Sequence, residues 1–201
     1  MSNDFTTWFI IGFLSLLAYM WYDGQNSEVK YVISTFDNQR YLVQNRDDAL
    51  EAANLLAQTK RSLVGLCDQL KGKWNGSDEK SKGVNRLLKK FNPDSLSETG
   101  KGSKYTSYSV NKGEKIVLCL RSRDEKDTLV DPNTLMFVAL HELAHVMTKS
   151  VGHTTEFWSN FKFLLQHAIE LGIYRGIDYG KNPQPYCGIV VTDTPLTDKS
   201  L

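Results

Sequence analysis

Residue types that carry special chemistry are scarce in this 201-residue chain. Three cysteines, Cys67, Cys119 and Cys187, lie far apart and form no C-x-x-C pair. An odd, scattered set excludes a cysteine-rich metal knuckle and argues against a disulfide framework, so buried thiols in a reducing environment are expected. Neither sign of charge is in excess: 24 Lys and Arg against 23 Asp and Glu leave a net charge of +1. No whole-molecule field therefore draws the protein to nucleic acid or to an acidic surface. With only five prolines, no internal repeat and no low-complexity tract, repeat and disordered architectures are excluded. Against these absences, 41% hydrophobic residues suffice for one domain of ordinary size plus an appendage.

Charge is also missing locally. Between Asp4 and Asp23 run eighteen uncharged residues, FTTWFIIGFLSLLAYMWY. As a helix they would span about 27 Å, close to the hydrocarbon thickness of a bilayer, with apolar groups on every side. Trp8 at one end and Tyr19, Trp21 and Tyr22 at the other resemble interfacial belts. The expectation is a transmembrane anchor over residues 1–23, touching lipid through residues 5–22, and a single-pass protein of a viral or host membrane. A cleaved leader fits less well, because no Lys or Arg precedes the run and no small-x-small site follows.

Residues 24–28 (GQNSE) read as a linker, and residues 29–201 as one domain. Two short strands around a turn are predicted over residues 31–44. Asp47 is placed to cap a long helix in which Leu50, Ala53, Leu56, Leu63, Leu66 and Leu70 recur at helical spacing through residue 73. A lysine-rich helix follows over residues 78–91, stopped by Asn92-Pro93. Residues 92–104 read as a loop, and the segments flanking Asn111-Lys112-Gly113-Glu114 as a hairpin. Asp131-Pro132 opens a largely apolar helix, a last helix covers residues 154–171, and the tail from Asp178 is expected to drape over the body.

Histidine is rare too, yet three of the four fall within thirteen residues. His141-Glu142-Leu143-Ala144-His145 places two imidazoles at i and i+4 on one helix face, with a carboxylate beside them. Two such rings plus a third ligand leave zinc one open position, and Glu142 is then the expected general base for hydrolysis of a peptide bond. A third ligand has to come from beyond the helix. Gly152 supplies a turn and His153 follows at once; Glu156 is the competing candidate. His167 sits within an apolar helical pattern and reads as a core or surface residue. An electrophile for the oxyanion is sought among Tyr105, Tyr108, Tyr174, Tyr179 and Tyr186, and nothing in the pattern selects one.

The stretch from Tyr108 to Met147, with Asn111, Gly113, Ile116, Leu118, Leu120 and Arg121 ahead of the HELAH helix, resembles the core of the WLM metalloproteases. The segment Gly152-His153-Thr154-Thr155-Glu156-Phe157-Trp158 is similar to one shared by WLM, SprT-like and YgjP-like proteins, in which the histidine is the third zinc ligand. The resemblance implies an α+β zincin-like domain, a small mixed sheet with the HExxH helix. It also implies Zn2+ on His141, His145 and His153, and a protein or peptide substrate paired with an edge strand at about residues 115–121. As a whole, with its tail KNPQPYCGIVVTDTPL, the chain looks most like uncharacterised WLM-like proteins of large DNA viruses and algae. Seven residues separate His145 from His153, where the family usually has five.

Two other readings stay open. One is a non-catalytic zinc-binding scaffold of the same fold at a virion or envelope membrane. The other is a repair protease acting on protein crosslinked to DNA, with Lys80, Lys82, Arg86, Lys89, Lys90, Lys101 and Lys104 tracking phosphates. The near-neutral net charge favours a solvated helix face for those residues.

Overall fold

The computed structural model describes residues 2–25 and 27–201, with side chains described for residues 6–22 and from residue 27 onward. Helix α1 spans Ser2–Gln25. Among the described residues no helix is long and apolar enough to cross a membrane. This overturns the expected single-pass anchor over residues 1–23. Thr6, Thr7, Gly12, Ser15 and the tyrosines dilute the apolar character of this helix.

From Val29 onward the chain builds a mixed α+β fold. Strands β1 (Val29–Ile33) and β2 (Arg40–Gln44) pair antiparallel, Val29 opposite Gln44 and Ile33 opposite Arg40. Helix α2 (Ala49–Lys73) then lies across β2 and buries Ala53, Leu56, Leu63, Leu66 and Leu70. Its cap is Asp48 rather than Asp47, and Asp48 makes no side-chain capping bond. The reason is tertiary: its carboxylate accepts from Arg121 Nη1 at 2.6 Å. Helix α3 (Glu79–Lys90) is capped by Asp78, which accepts from the Ser81 N–H.

The expected loop over residues 92–104 contains a strand. Asn92-Pro93 makes a tight turn, and β3 (Leu96–Glu98) enters the sheet parallel to β2 and to β5 (Lys115–Leu118). Three residues are too few for a visible alternation, and all three are buried. Strand β4 (Tyr108–Val110) pairs antiparallel with β5, completing the order β1-β2-β3-β5-β4. The edge beside the hairpin is therefore β4. Residues 115–118, expected at the edge, are interior because the hairpin folds β4 over their outer side.

Glu98, buried within this sheet, is satisfied locally. It accepts from the Gln44 N–H at 2.6 Å and from Arg121 Nε at 2.9 Å. Burial still pushes its carboxyl above the usual range.

Helix α4 (Pro132–Met147) packs against the sheet, α3 and helix α5 (Thr155–Glu170). The tail forms a hairpin, β6 (Gln184–Tyr186) with β7 (Ile189–Val191), turned by Cys187 and Gly188 at φ 50° and 82°. That turn lies beside the end of β5, and Cys119 and Cys187 are disulfide-bonded with Cα atoms 6.3 Å apart. The expectation of three thiols is corrected accordingly: 68 residues of sequence separation hid a neighbour that the fold creates. Cys67 remains a buried thiol.

Candidate metal centre

Helix α4 begins as its sequence dictates. The Asp131 carboxylate accepts from the Thr134 N–H at 2.9 Å, and Pro132 sits in the first turn, where its missing donor costs nothing. Leu135, Ala139, Leu140, Leu143, Ala144, Val146 and Met147 are buried. Burial on so many sides fixes the rotation of the helix, so the one face left to a cleft carries His141 and His145. Their Nε2 atoms stand 3.1 Å apart.

The helix stops at Met147, Thr148 turns extended, and the chain loops back through Gly152 at φ 85°. That return brings His153 Nε2 to 3.2 Å from His141 Nε2. The extra residues between the second and third histidines form this returning loop. The three ligand-type atoms all lie within 4.8 Å of one another. Tetrahedral coordination at a zinc–nitrogen distance of about 2.0–2.1 Å requires nitrogens about 3.3 Å apart. One nitrogen facing two others cannot satisfy both with a single proton, whereas lone pairs converging on a cation can. The donor set therefore fits zinc, and three imidazoles suit it better than an oxygen-seeking ion.

Protonation agrees with this arrangement. Burial, reinforced by the neighbouring His145 and His153, holds His141 down to about 3. Burial, with His153 and Lys112, holds His145 down to about 4. Both rings are neutral at physiological pH, the form a metal needs. Burial pushes Glu142 up to about 7. A cation beside it would pull it back down, leaving a carboxylate that takes up and releases a proton near neutrality.

Phe157, from the first turn of α5, forms a platform under all three rings. Its centroid lies 4.3 Å from that of His145, 4.7 Å from His153 and 4.9 Å from His141. Of the two candidates for the third position, His153 stands with the other rings and Glu156 turns away. Glu156 accepts from the Lys149 N–H at 3.0 Å and from the Ser150 hydroxyl at 3.1 Å. His167 pairs with Glu170 on the far part of α5.

The centre opens into a cleft of about 510 Å³ whose other wall is the edge strand and its turn, including Ser107, Tyr108, Ser109, Asn111 and Lys112. Of the five tyrosines considered for the oxyanion, Tyr108 alone lines this cleft. Tyr105 is exposed, and Tyr174, Tyr179 and Tyr186 are buried. The Tyr186 hydroxyl is committed to the Cys119 carbonyl at 2.8 Å and to Ser107 at 2.9 Å. Phe157 and Lys112 were not visible as site residues in the sequence. The aromatic one had a signal, its place four residues after His153, but the lysine reads as an ordinary turn residue.

Residues 79–196 match the WLM domain family. The chain is 39% identical over 170 residues to uncharacterized protein R325 of Acanthamoeba polyphaga mimivirus, covering 85% of this chain and 86% of that protein. It is 45% identical over 69 residues to uncharacterized protein 136R of Invertebrate iridescent virus 6, covering 34% of this chain and 38% of that protein. Among solved structures, Wss1 from Saccharomyces cerevisiae aligns at a TM-score of 0.48 and 18% identity, over 65% of this chain and 88% of that one. With more than half of its length matched by the family and a relative 39% identical along most of both chains, this protein belongs to the WLM domain family, whose zinc-metalloprotease character its three-histidine centre fits.

Proposed function

We propose that this protein is a zinc-dependent metallopeptidase acting on a protein or peptide substrate. One observation carries the reading: three imidazole nitrogens converge at the floor of an open cleft, with the Glu142 carboxylate beside them. His141, His145 and His153 are the residues that hold the metal. The chemistry a bound zinc supplies is Lewis acidity, which polarises a carbonyl and lowers the pKa of water to about 7.

Glu142 then takes a proton from the attacking water and delivers it to the leaving amine. Its buried setting suits that exchange, since a base works best with a pKa near the operating pH. Strand β4 holds the substrate. It is the outer strand of the sheet on the cleft side, and an extended peptide added there gains main-chain hydrogen bonds without a demand on its side chains. Tyr108, on that strand, is the side chain placed to meet a developing oxyanion.

The test uses the full chain, with metal content measured beside cleavage of an unstructured protein such as casein. Glu142→Gln is expected to keep its zinc and to lose on the order of 10²–10⁴-fold in cleavage rate. Full zinc occupancy with no cleavage by the unaltered protein supports a non-catalytic scaffold. Absence of zinc binding removes the ground of both readings.

A further inference from the structure

The metal centre has a weak point in its covalent design. Two ligands ride on a buried helix, but the third sits at the end of a loop, residues 148–152, that the chain crosses without regular structure. Lys149, Val151 and Gly152 on that loop are exposed. Something other than core packing has to hold it.

Lys112 does so from the opposite wall. Its ammonium donates to three consecutive carbonyls: Thr148 at 2.9 Å, Lys149 at 2.7 Å and Ser150 at 2.8 Å. An ammonium has three protons, and all three are used. These carbonyls lie just past the C-terminal end of α4, where the helix dipole also favours a cation. The lysine reaches them because its own turn is wound left-handed, with Asn111 at φ 49°, Lys112 at 55° and Gly113 at 110°. That turn is wedged in place: a Cβ on Gly113 would stand 2.8 Å from Val146 Cγ1 and 2.9 Å from the Lys90 carbonyl oxygen.

The N–H side of the same loop is held by an anion. Glu156 accepts from the Lys149 and Ser150 N–H groups and from the Ser150 hydroxyl, and it pairs with Arg86 at 3.8 Å. Arg86 in turn donates to the Met147 carbonyl. Carbonyls face cations and N–H groups face an anion, so the loop is clamped from both sides.

We propose that Lys112, acting with Glu156, is a positioning residue for His153: the ammonium–carbonyl clamp fixes the third-ligand loop and ties it to the turn of the strand that receives substrate. This rests on the metal-site reading, and it accounts for the seven-residue spacing, since the additional loop residues include the carbonyls that Lys112 grips. It also makes the order of the metal centre depend on the β4–β5 turn, so a ligand that shifts that turn alters the hold on His153.

The experiment combines hydrogen exchange with zinc titration on the full chain, comparing the unaltered protein, Lys112→Met, Lys112→Arg, Glu156→Gln and His153→Ala. Without metal, Lys112→Met is expected to speed exchange of the amides at residues 149–153 on the order of tenfold or more, leaving α2 and the body of α4 protected. With metal, it is expected to weaken zinc binding on the order of 10–100-fold, as loss of a supporting contact around a ligand does, and Lys112→Arg to recover part of that. Should Lys112→Met fail to fold, Glu156→Gln carries the same two readouts from the other side of the loop. Unchanged exchange at 149–153 in a folded Lys112→Met or Glu156→Gln protein overturns the clamp. A zinc affinity that stays unchanged while exchange rises overturns the link to His153. A protein that binds no zinc at all fails the metal-site reading, while the exchange result still decides the clamp.

Discussion

Phe157 offers a quantitative test of how the centre is built. It is fully buried, and its ring is within 5 Å, centroid to centroid, of all three histidine rings. Phe157→Ala removes the whole ring from a packed site, for which about 3–5 kcal/mol of stability is lost when neighbours relax only in part. Phe157→Leu keeps most of the volume and is expected to lose less than about 1.5 kcal/mol. Those figures describe a core residue wherever it lies. The platform role adds a second signal. In urea unfolding with chelator and then with zinc at about 100 times Kd, the unaltered protein is expected to gain about 2.7 kcal/mol from the metal. If the ring holds the imidazoles in register, the gain shrinks in Phe157→Ala, by about 1.3 kcal/mol for a tenfold loss of affinity at the same zinc concentration. A loss below about 1 kcal/mol in chelator would refute the packing argument. An unchanged zinc increment would refute the platform.

Three more outcomes follow from other parts of the molecule. Arg121→Met leaves the buried Glu98 without its cation and is expected to destabilise by about 3–5 kcal/mol in urea melts, with Glu98→Gln added to it recovering part of the loss. Asp48 faces Arg121, and that hydrogen bond holds its carboxyl below the ordinary 3.8. Its contribution is therefore present above pH 3.8 and is lost as pH falls through the lowered folded value, so thermal melts of Asp48→Asn are expected to fall below the unaltered protein at pH 6 and to converge with it as the pH is taken well below 3.8. Gly113→Ala forces a side chain at φ 110° against Val146 and the Lys90 carbonyl, and is expected to lose about 1–3 kcal/mol in the same melts.

The parts of this protein that could be read from its sequence are those whose signal is local. The HExxH spacing, the Asp131-Pro132 start of α4 and the leucine period of α2 each need only a helix to express them, and the helices lie within a residue or two of the predicted bounds. What escaped is long-range. The third strand of the sheet is three residues, Leu96–Glu98, whose buried glutamate argues against a strand until Arg121 is seen beside it. Cys119 and Cys187 meet only because the tail hairpin is laid against the end of β5. The edge strand was misplaced by one element because a hairpin has two strands and its sequence does not say which one faces outward. The N-terminal run illustrates the opposite error, in which composition suggested a membrane span that no helix among the described residues is long and apolar enough to make.

The metal centre combines both kinds of information, and that determines where it is vulnerable. Two of its rings are fixed by helical periodicity alone, so any sequence that keeps α4 helical and buried keeps His141 and His145 together. The third ring depends on an agreement between four segments, two of them distant in sequence: α3 through Arg86, the β4–β5 turn through Lys112, the loop itself, and α5 through Glu156 and Phe157. Such an arrangement is specified by many weak terms, each of order 1 kcal/mol, rather than by one strong one. Changes in α3 or the hairpin turn, far from the HExxH motif in sequence, therefore act on His153 first. On the proposed metal-site reading, they are expected to loosen one ligand while two stay in place, so that zinc affinity, measured by titration, falls before stability in urea does.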